Sequence, residues 1–395
     1  MKNTILILVT IALFVGSCGQ TVTKQKQAET TNENVLVFQD DSLVQKDMLV
    51  HEEIPGKEKI FTSEDSLYFR IEQFNQDLYT NVLEPQDLDL YLLRDLEVNT
   101  NRKVAFISLS DNYPLSKHPD SLAIPDLCDI KKEDLEYFKL SSEYRKRFLS
   151  KTKISEIDSV FVYDYSTDIL LSFPVKNLNV VAYFNVYGSV EGCLCSQGKS
   201  PCDQYDYMIG FEISKSLLKG LGEHSNYTFV YVGKENPFVQ GQMKPIVWKK
   251  INSNDFPFAK ADFQTIIPTK GNAYLYESNE FRYFIQDYVS PYYNDKTTNK
   301  MYEIGIRHLL VVDIKSEKVV AERIFSRGES IMPAPLNFGI NNEDYVEFIF
   351  QWTGKLFKNK PPVMFGFEWY SFGCESITLL DSTAGDIWIS CDNRH

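Results

Sequence analysis

From residue 158 to the end, the chain is cut into short apolar runs of four to thirteen residues separated by polar or glycine-rich turns, and few of them are long enough for a buried helix. The runs are Val160–Tyr163, Ile169–Phe173, Val180–Tyr187, Met208–Ile213 and Tyr227–Val232, then Ala273–Tyr276, Phe281–Gln286, Tyr302–Ile314 and Val319–Phe325, and finally Tyr345–Trp352, Val363–Ser371, Ser376–Leu380 and Ile387–Cys391. Phe (27) and Tyr (23) dominate them, and such side chains fit a pleated, half-buried surface better than a helix. This pattern predicts antiparallel sheet. Before residue 158 the reading is mixed. Lys103–Leu109 reads as a strand, but Leu67, Ile71, Phe74 and Leu78 recur at helical spacing behind Thr62-Ser63-Glu64-Asp65, predicting a helix over 64–80. Pro85 suits the first turn of a second helix carrying Leu88, Leu92 and Leu96. Lys132–Leu149, with its basic end, suits a third. The expected class is α+β, predominantly antiparallel β-sheet, with helices concentrated in the N-terminal third.

The chain opens with MKNTILILVTIALFVGSC. One Lys, an unbroken apolar run from Ile5 to Val15 and then small residues form a secretory signal, too short for the roughly 20 residues of a membrane-spanning helix. Val15-Gly16-Ser17-Cys18 resembles the lipobox of bacterial lipoproteins. That resemblance, confined to these residues, implies cleavage before Cys18 and acylation of Cys18, with the bilayer as a partner through the lipid. Gly19 stands where an Asp retains many such proteins at the inner membrane, which by the same analogy implies the outer membrane of the cell envelope. Residues 19–34 carry no aromatic residue and read as a solvated tether. The expected organisation is signal peptide 1–17, lipidated tether 18–34, a domain over 35–235 and a second over 250–395, divided at the Pro- and Gly-containing stretch 234–250.

The formal charge is −13, or −14 once residues 1–17 and their single Lys are removed. No basic stripe offsets it, which argues against nucleic acid as a partner. Beyond Cys18 there are six cysteines, an even number in an exported chain, which favours disulfides. Cys128, Cys193, Cys195 and Cys202 form one set of open connectivity; zinc or a reactive thiol is the alternative for it. Cys374 and Cys391 are expected to pair across a hairpin whose loop is Asp381–Ala384, with Leu380 facing Gly385.

No HExxH, P-loop, GxSxG or GxGxxG occurs, and the five His residues show no metal-ligand spacing, so no metal or cofactor is expected. Three segments repeat one form: VYDYSTDILLS, VVDIKSEKVVA and LLDSTAGDIWI. In each an Asp (Asp164, Asp313, Asp381) opens the turn, where its side chain accepts backbone N–H groups. Trp352, Trp369 and Trp388 cluster late in the chain with Tyr345 and Tyr370, as core or as a sugar-stacking platform. If Thr353 and Pro362 are the last opposed residues of a hairpin, Glu347 and Glu368 fall opposite each other as a carboxylate pair. Opposed like charges destabilise a sheet, so such a pair needs a functional reason. Function is therefore expected to be binding or scaffolding in the envelope, with an unidentified protein or glycan ligand. Carbohydrate binding or processing by the carboxylate pair is the alternative.

Overall fold

The computed structural model describes residues 87–98, 102–185, 187–222, 227–257, 270–289, 304–328, 330–340 and 349–392. Four sheets organise them. A five-stranded antiparallel sheet runs Arg94–Val98, Arg102–Ser108, Tyr207–Ser214, Asn179–Phe184, Tyr137–Lys139 in spatial order. A nine-stranded sheet runs Met243–Pro245, Trp352–Gly354, Val363–Phe365, Ser376–Leu379, Ile387–Ser390, Leu90–Tyr91, Thr228–Gly233, Ser159–Asp164, Ile169–Pro174. It takes strands from both sides of the 234–250 stretch. Its one parallel pairing joins Leu90–Tyr91 to Ile387–Ser390. A second five-stranded sheet is a meander of Lys249–Ile251, Lys270–Glu277, Phe281–Val289, Ile304–Asp313 and Val319–Ser326. A two-stranded sheet pairs Ile331–Pro333 with Glu368–Tyr370.

The first two sheets pack through one core, in which Ile107, Val180, Phe211 and Ile213 of the five-stranded sheet join Val160, Val162 and Val230 of the wide one. The other face of the wide sheet is aromatic: Tyr163, Phe229, Trp352 and Phe365 meet there, with Tyr165 packed edge-on to Trp352. The meander builds a third core from Tyr283, Ile285, Leu309 and Val311, which Met364, Phe367 and Leu380 of the C-terminal strands complete. Strand alternation explains this economy, since successive residues of one strand supply two cores.

The helical expectation is overturned. Among the described residues one helix exceeds seven residues, Ser142–Lys151, which sends Phe148 and Leu149 into the first core. The helix expected from Pro85 is replaced by Leu90–Tyr91 and Arg94–Val98. Asp95 and Glu97 are exposed while Leu96 and Val98 are buried, a period of two that pairing with Arg102–Ser108 selects over the helical spacing of the leucines. Of the segment 132–149, the first half is a 3-10 turn and the strand Tyr137–Lys139, whose aromatic pair packs on Asn179–Phe184. The helix expected over 64–80 lies outside the described residues.

The three repeated Asp turns form as expected. Asp164 Oδ1 accepts the N–H groups of Ser166 (2.8 Å) and Thr167 (3.0 Å), Asp313 Oδ1 that of Ser316 (2.6 Å), and Asp381 Oδ1 that of Thr383 (2.9 Å). In each, the hydroxyl of Ser166, Ser316 or Thr383 donates to the same oxygen.

Candidate functional site

The six cysteines pair as Cys128–Cys195, Cys193–Cys202 and Cys374–Cys391. The first two bridges staple the irregular loop after Asn179–Phe184, and the polar side chains there serve the backbone. Asp126 accepts the Cys128 N–H, Asp203 and Asp206 form a capping box, and Gln204 joins Ala123 N to Ser116 O. The third bridge forms one residue out of the expected register, because Ser376 faces Trp388 and Ile377 faces Ile387. The Cα atoms of Cys374 and Cys391 are still 5.5 Å apart, within bridging reach.

The carboxylate pair expected at Glu347 and Glu368 cannot be placed as a pair, since Glu347 lies outside the described residues, as does Tyr345. The hairpin register differs from the one that would oppose them: Thr353 faces Met364, and Gly354 faces Val363. After Phe365 the chain turns at Gly366, at φ +78, where a Cβ would lie 1.8 Å from the carbonyl oxygen of Phe350. Only glycine fits that approach. The turn buries Phe367 in the third core and starts a new pairing, in which Glu368 faces Pro333 and Tyr370 faces Ile331.

Glu368 finds a different carboxylate there. Glu375, beside Cys374, lines with Glu368, Tyr370, Ser376, Thr378 and Phe325 a cavity of about 30 Å³, room for a water or two. The Tyr370 hydroxyl donates to Glu368 Oε2 at 2.6 Å. Burial pushes the Glu368 carboxyl up, against the Tyr370 hydrogen bond and with help from the charge of Asp386. Asp386 itself is ion-paired with Arg323 at 2.9 Å. Glu375 as a residue keeps an open surface, yet its carboxyl is crowded by protein. Desolvation first and the Glu368 charge second push it up to about 7. The environment thus keeps a proton near neutrality on one member of a carboxylate pair, the property required of a general acid or of a proton-linked binding group.

The aromatic residues divide. Trp352 is 6% exposed, core-packed, and donates from Nε1 to Ile349 O. Trp369 is 43% exposed, opposite Met332 and so on the other face of its strand from Glu368 and Tyr370. Trp388, 68% exposed, stands opposite Ser376, which lines the Glu368–Glu375 cavity. Glu375 and Asp386 were not legible as site residues in the sequence. Glu375 lies within CESITLL, and its only signal is a carboxylate beside a bridging cysteine. No cluster of His, Cys, Asp and Glu fit to hold a metal occurs among the described residues. No protein-family model matches the chain, and neither a curated protein nor a solved structure matches it.

Proposed function

We propose that the protein is a lipid-anchored lipoprotein of the cell envelope, held at the outer membrane by acylated Cys18, whose β-rich body binds a ligand outside the cytoplasm. The observation that carries this reading is the lipobox-like Val15-Gly16-Ser17-Cys18 at the end of an apolar run. The pairing of all six remaining cysteines supports it independently, because such bridges persist in oxidising compartments. Several acyl chains are needed for stable anchoring, since one gives only marginal binding and the acidic body repels anionic headgroups. Sixteen tether residues reach about 20–25 Å root-mean-square, which keeps the body close to the bilayer surface. The test is Cys18→Ser in cells fed labelled fatty acid. Loss of label and release of the protein, or accumulation of the uncleaved form, is expected; label retained in the variant contradicts the reading.

A second reading is favoured by two observations, Glu368 and Glu375 lining one cavity with the Glu375 carboxyl raised, and the exposed Trp388 opposite Ser376 of that lining. In it, these two acids replace the pair expected from sequence and act on a carbohydrate, Glu375 as the proton donor. Hydrolysis of aryl glycosides that disappears in Glu375→Gln supports it, and hydrolysis unchanged in that variant removes it.

A further inference from the structure

A larger cavity, of about 520 Å³, lies away from the two acids, where the tip of the Lys270–Glu277/Phe281–Val289 hairpin meets the edge strand Met243–Pro245 and its neighbour Trp352–Gly354. Its size falls within the roughly 300–1,000 Å³ of small-molecule sites. The backbone is shaped to make it. Gly354, at φ +145, lets the chain pass so near Gln242 that a Cβ would lie 2.1 Å from the Gln242 carbonyl oxygen. At the tip, Ser278 Oγ accepts the Phe281 N–H at 2.9 Å, which fixes the turn that presents Asn279 and Glu280.

The floor of this cavity is chemically closed. Tyr283 OH donates to Thr353 Oγ1 at 2.7 Å, and Thr353 Oγ1 donates to Val363 O at 2.8 Å. The rim is not. Among the described residues the exposed side chains of Gln242, Lys244, Asn279 and Glu280 and the hydroxyl of Tyr276 have no hydrogen-bond or ion-pair partner within the protein, and all of these residues line the cavity. The Tyr276 ring is half-buried and is backed by Tyr283, with centroids 5.4 Å apart, so its orientation is set before any ligand arrives.

Those groups select a class of ligand. Two carboxamides and a phenol each donate and accept hydrogen bonds. An anion would use only their donors, a cation only their acceptors, and an apolar molecule would leave them unsatisfied at a cost. A ring bearing many hydroxyls satisfies both directions, and its apolar C–H face suits the Tyr276 ring. Lys244 and Glu280 bring opposite charges to the rim, and the third charged lining residue, Lys355, directs its Nζ to the Lys360 carbonyl, so the rim carries no strong excess of either sign. We propose that this cavity is a saccharide-binding site, with Tyr276 as the stacking platform and Gln242 and Asn279 as the hydroxyl-reading groups. The inference rests on the reading of the body as a binding module, and it is separate from the Glu368–Glu375 pair.

The test uses the full mature protein in a detergent without sugar headgroups, titrated calorimetrically with maltotriose, chitotriose and xylotriose. At least one trisaccharide binds. Gln242→Ala, an exposed-side-chain change that leaves the fold intact, weakens binding roughly tenfold, about 1.4 kcal/mol. Tyr276→Phe, which keeps the ring, weakens it less than Tyr276→Ala does. Absence of binding for all three sugars overturns the proposal, as does binding undiminished in both Gln242→Ala and Tyr276→Ala. Because anchoring is scored by Cys18→Ser fractionation, failure here leaves that result standing and fells only the assignment of the site.

Discussion

The meander sheet and the C-terminal strands both hold carboxylates against protein, one buried and the others partly open, and they settle the charge in opposite ways. In the meander, Asp287 and Arg307 are directly opposed across the ladder, both almost without exposure, and the guanidinium Nε lies 2.7 Å from Asp287 Oδ1. A second Arg307 nitrogen donates to Ala334 O. That acid is neutralised within its own sheet by a residue on the neighbouring strand. Around Gly366 the acids are the partly buried Glu368 and the more open Glu375, which line one small cavity, and Glu368 is met by the hydroxyl of Tyr370. Arg323, on the strand that also carries Phe325 of the cavity lining, is engaged with Asp386. A buried acid with its own arginine is costly to lose from one side only; an acid beside another acid is pushed towards keeping its proton instead. The first arrangement is a structural ion pair, and the second is of the kind found where a site handles protons.

The contrast breaks most visibly at Asp287. Asp287→Asn leaves the Arg307 charge enclosed without its partner and should cost about 3–5 kcal/mol in chemical denaturation. The matching change Glu368→Gln should cost far less or stabilise, because it removes a like charge; equal losses in the two variants would erase the distinction. Next in size is Gly366→Ala, expected to cost roughly 3 kcal/mol, since the new Cβ collides with the Phe350 carbonyl at a positive φ. Of similar size is the double replacement Cys374→Ser and Cys391→Ser. Opening a bridge with a sequence separation of 17 should cost about 3 kcal/mol. It should also lower the Glu375 midpoint as water gains access.

The last effect is the most specific. The folded-state pKa of Glu375 is raised, from 4.5 to about 7, so over that interval the folded state binds more protons than the unfolded one. Stability then falls as pH rises from about 4.5 to about 7 and levels off above. Glu375→Gln removes this slope, so the variant melts higher than the native protein above pH 7 and equally with it below pH 4.5. A parallel pH dependence in the two proteins contradicts the assignment.

Most of the strands were legible because their runs are bounded by turn residues and enriched in aromatic and β-branched side chains, as Ile169–Pro174 and Phe281–Val289 show. The Asp turns were legible because the hydrogen bonds are local. The 85–96 segment misled because leucines at 88, 92 and 96 satisfy a helical period, while the winning period of two depends on a partner strand the local sequence does not announce. The bridge between Cys374 and Cys391 survived a register error of one residue, since a disulfide reaches across a diagonal. The carboxylate pair did not survive one. Its geometry hangs on Gly366, where a single positive φ takes Glu368 out of one sheet and into another. Tertiary pairing of this kind brings Glu368 to Glu375, and no spacing in the sequence encodes it.

The sharpest test of the contrast is the titration of Glu375 itself, followed by the side-chain carboxyl ¹³C shift in the folded, fully disulfide-bonded protein, with Glu375→Gln to assign the resonance. A midpoint of about 7, moving down when Glu368 is replaced by Gln, is the predicted result. A midpoint near the ordinary 4.5, indifferent to Glu368, would contradict it.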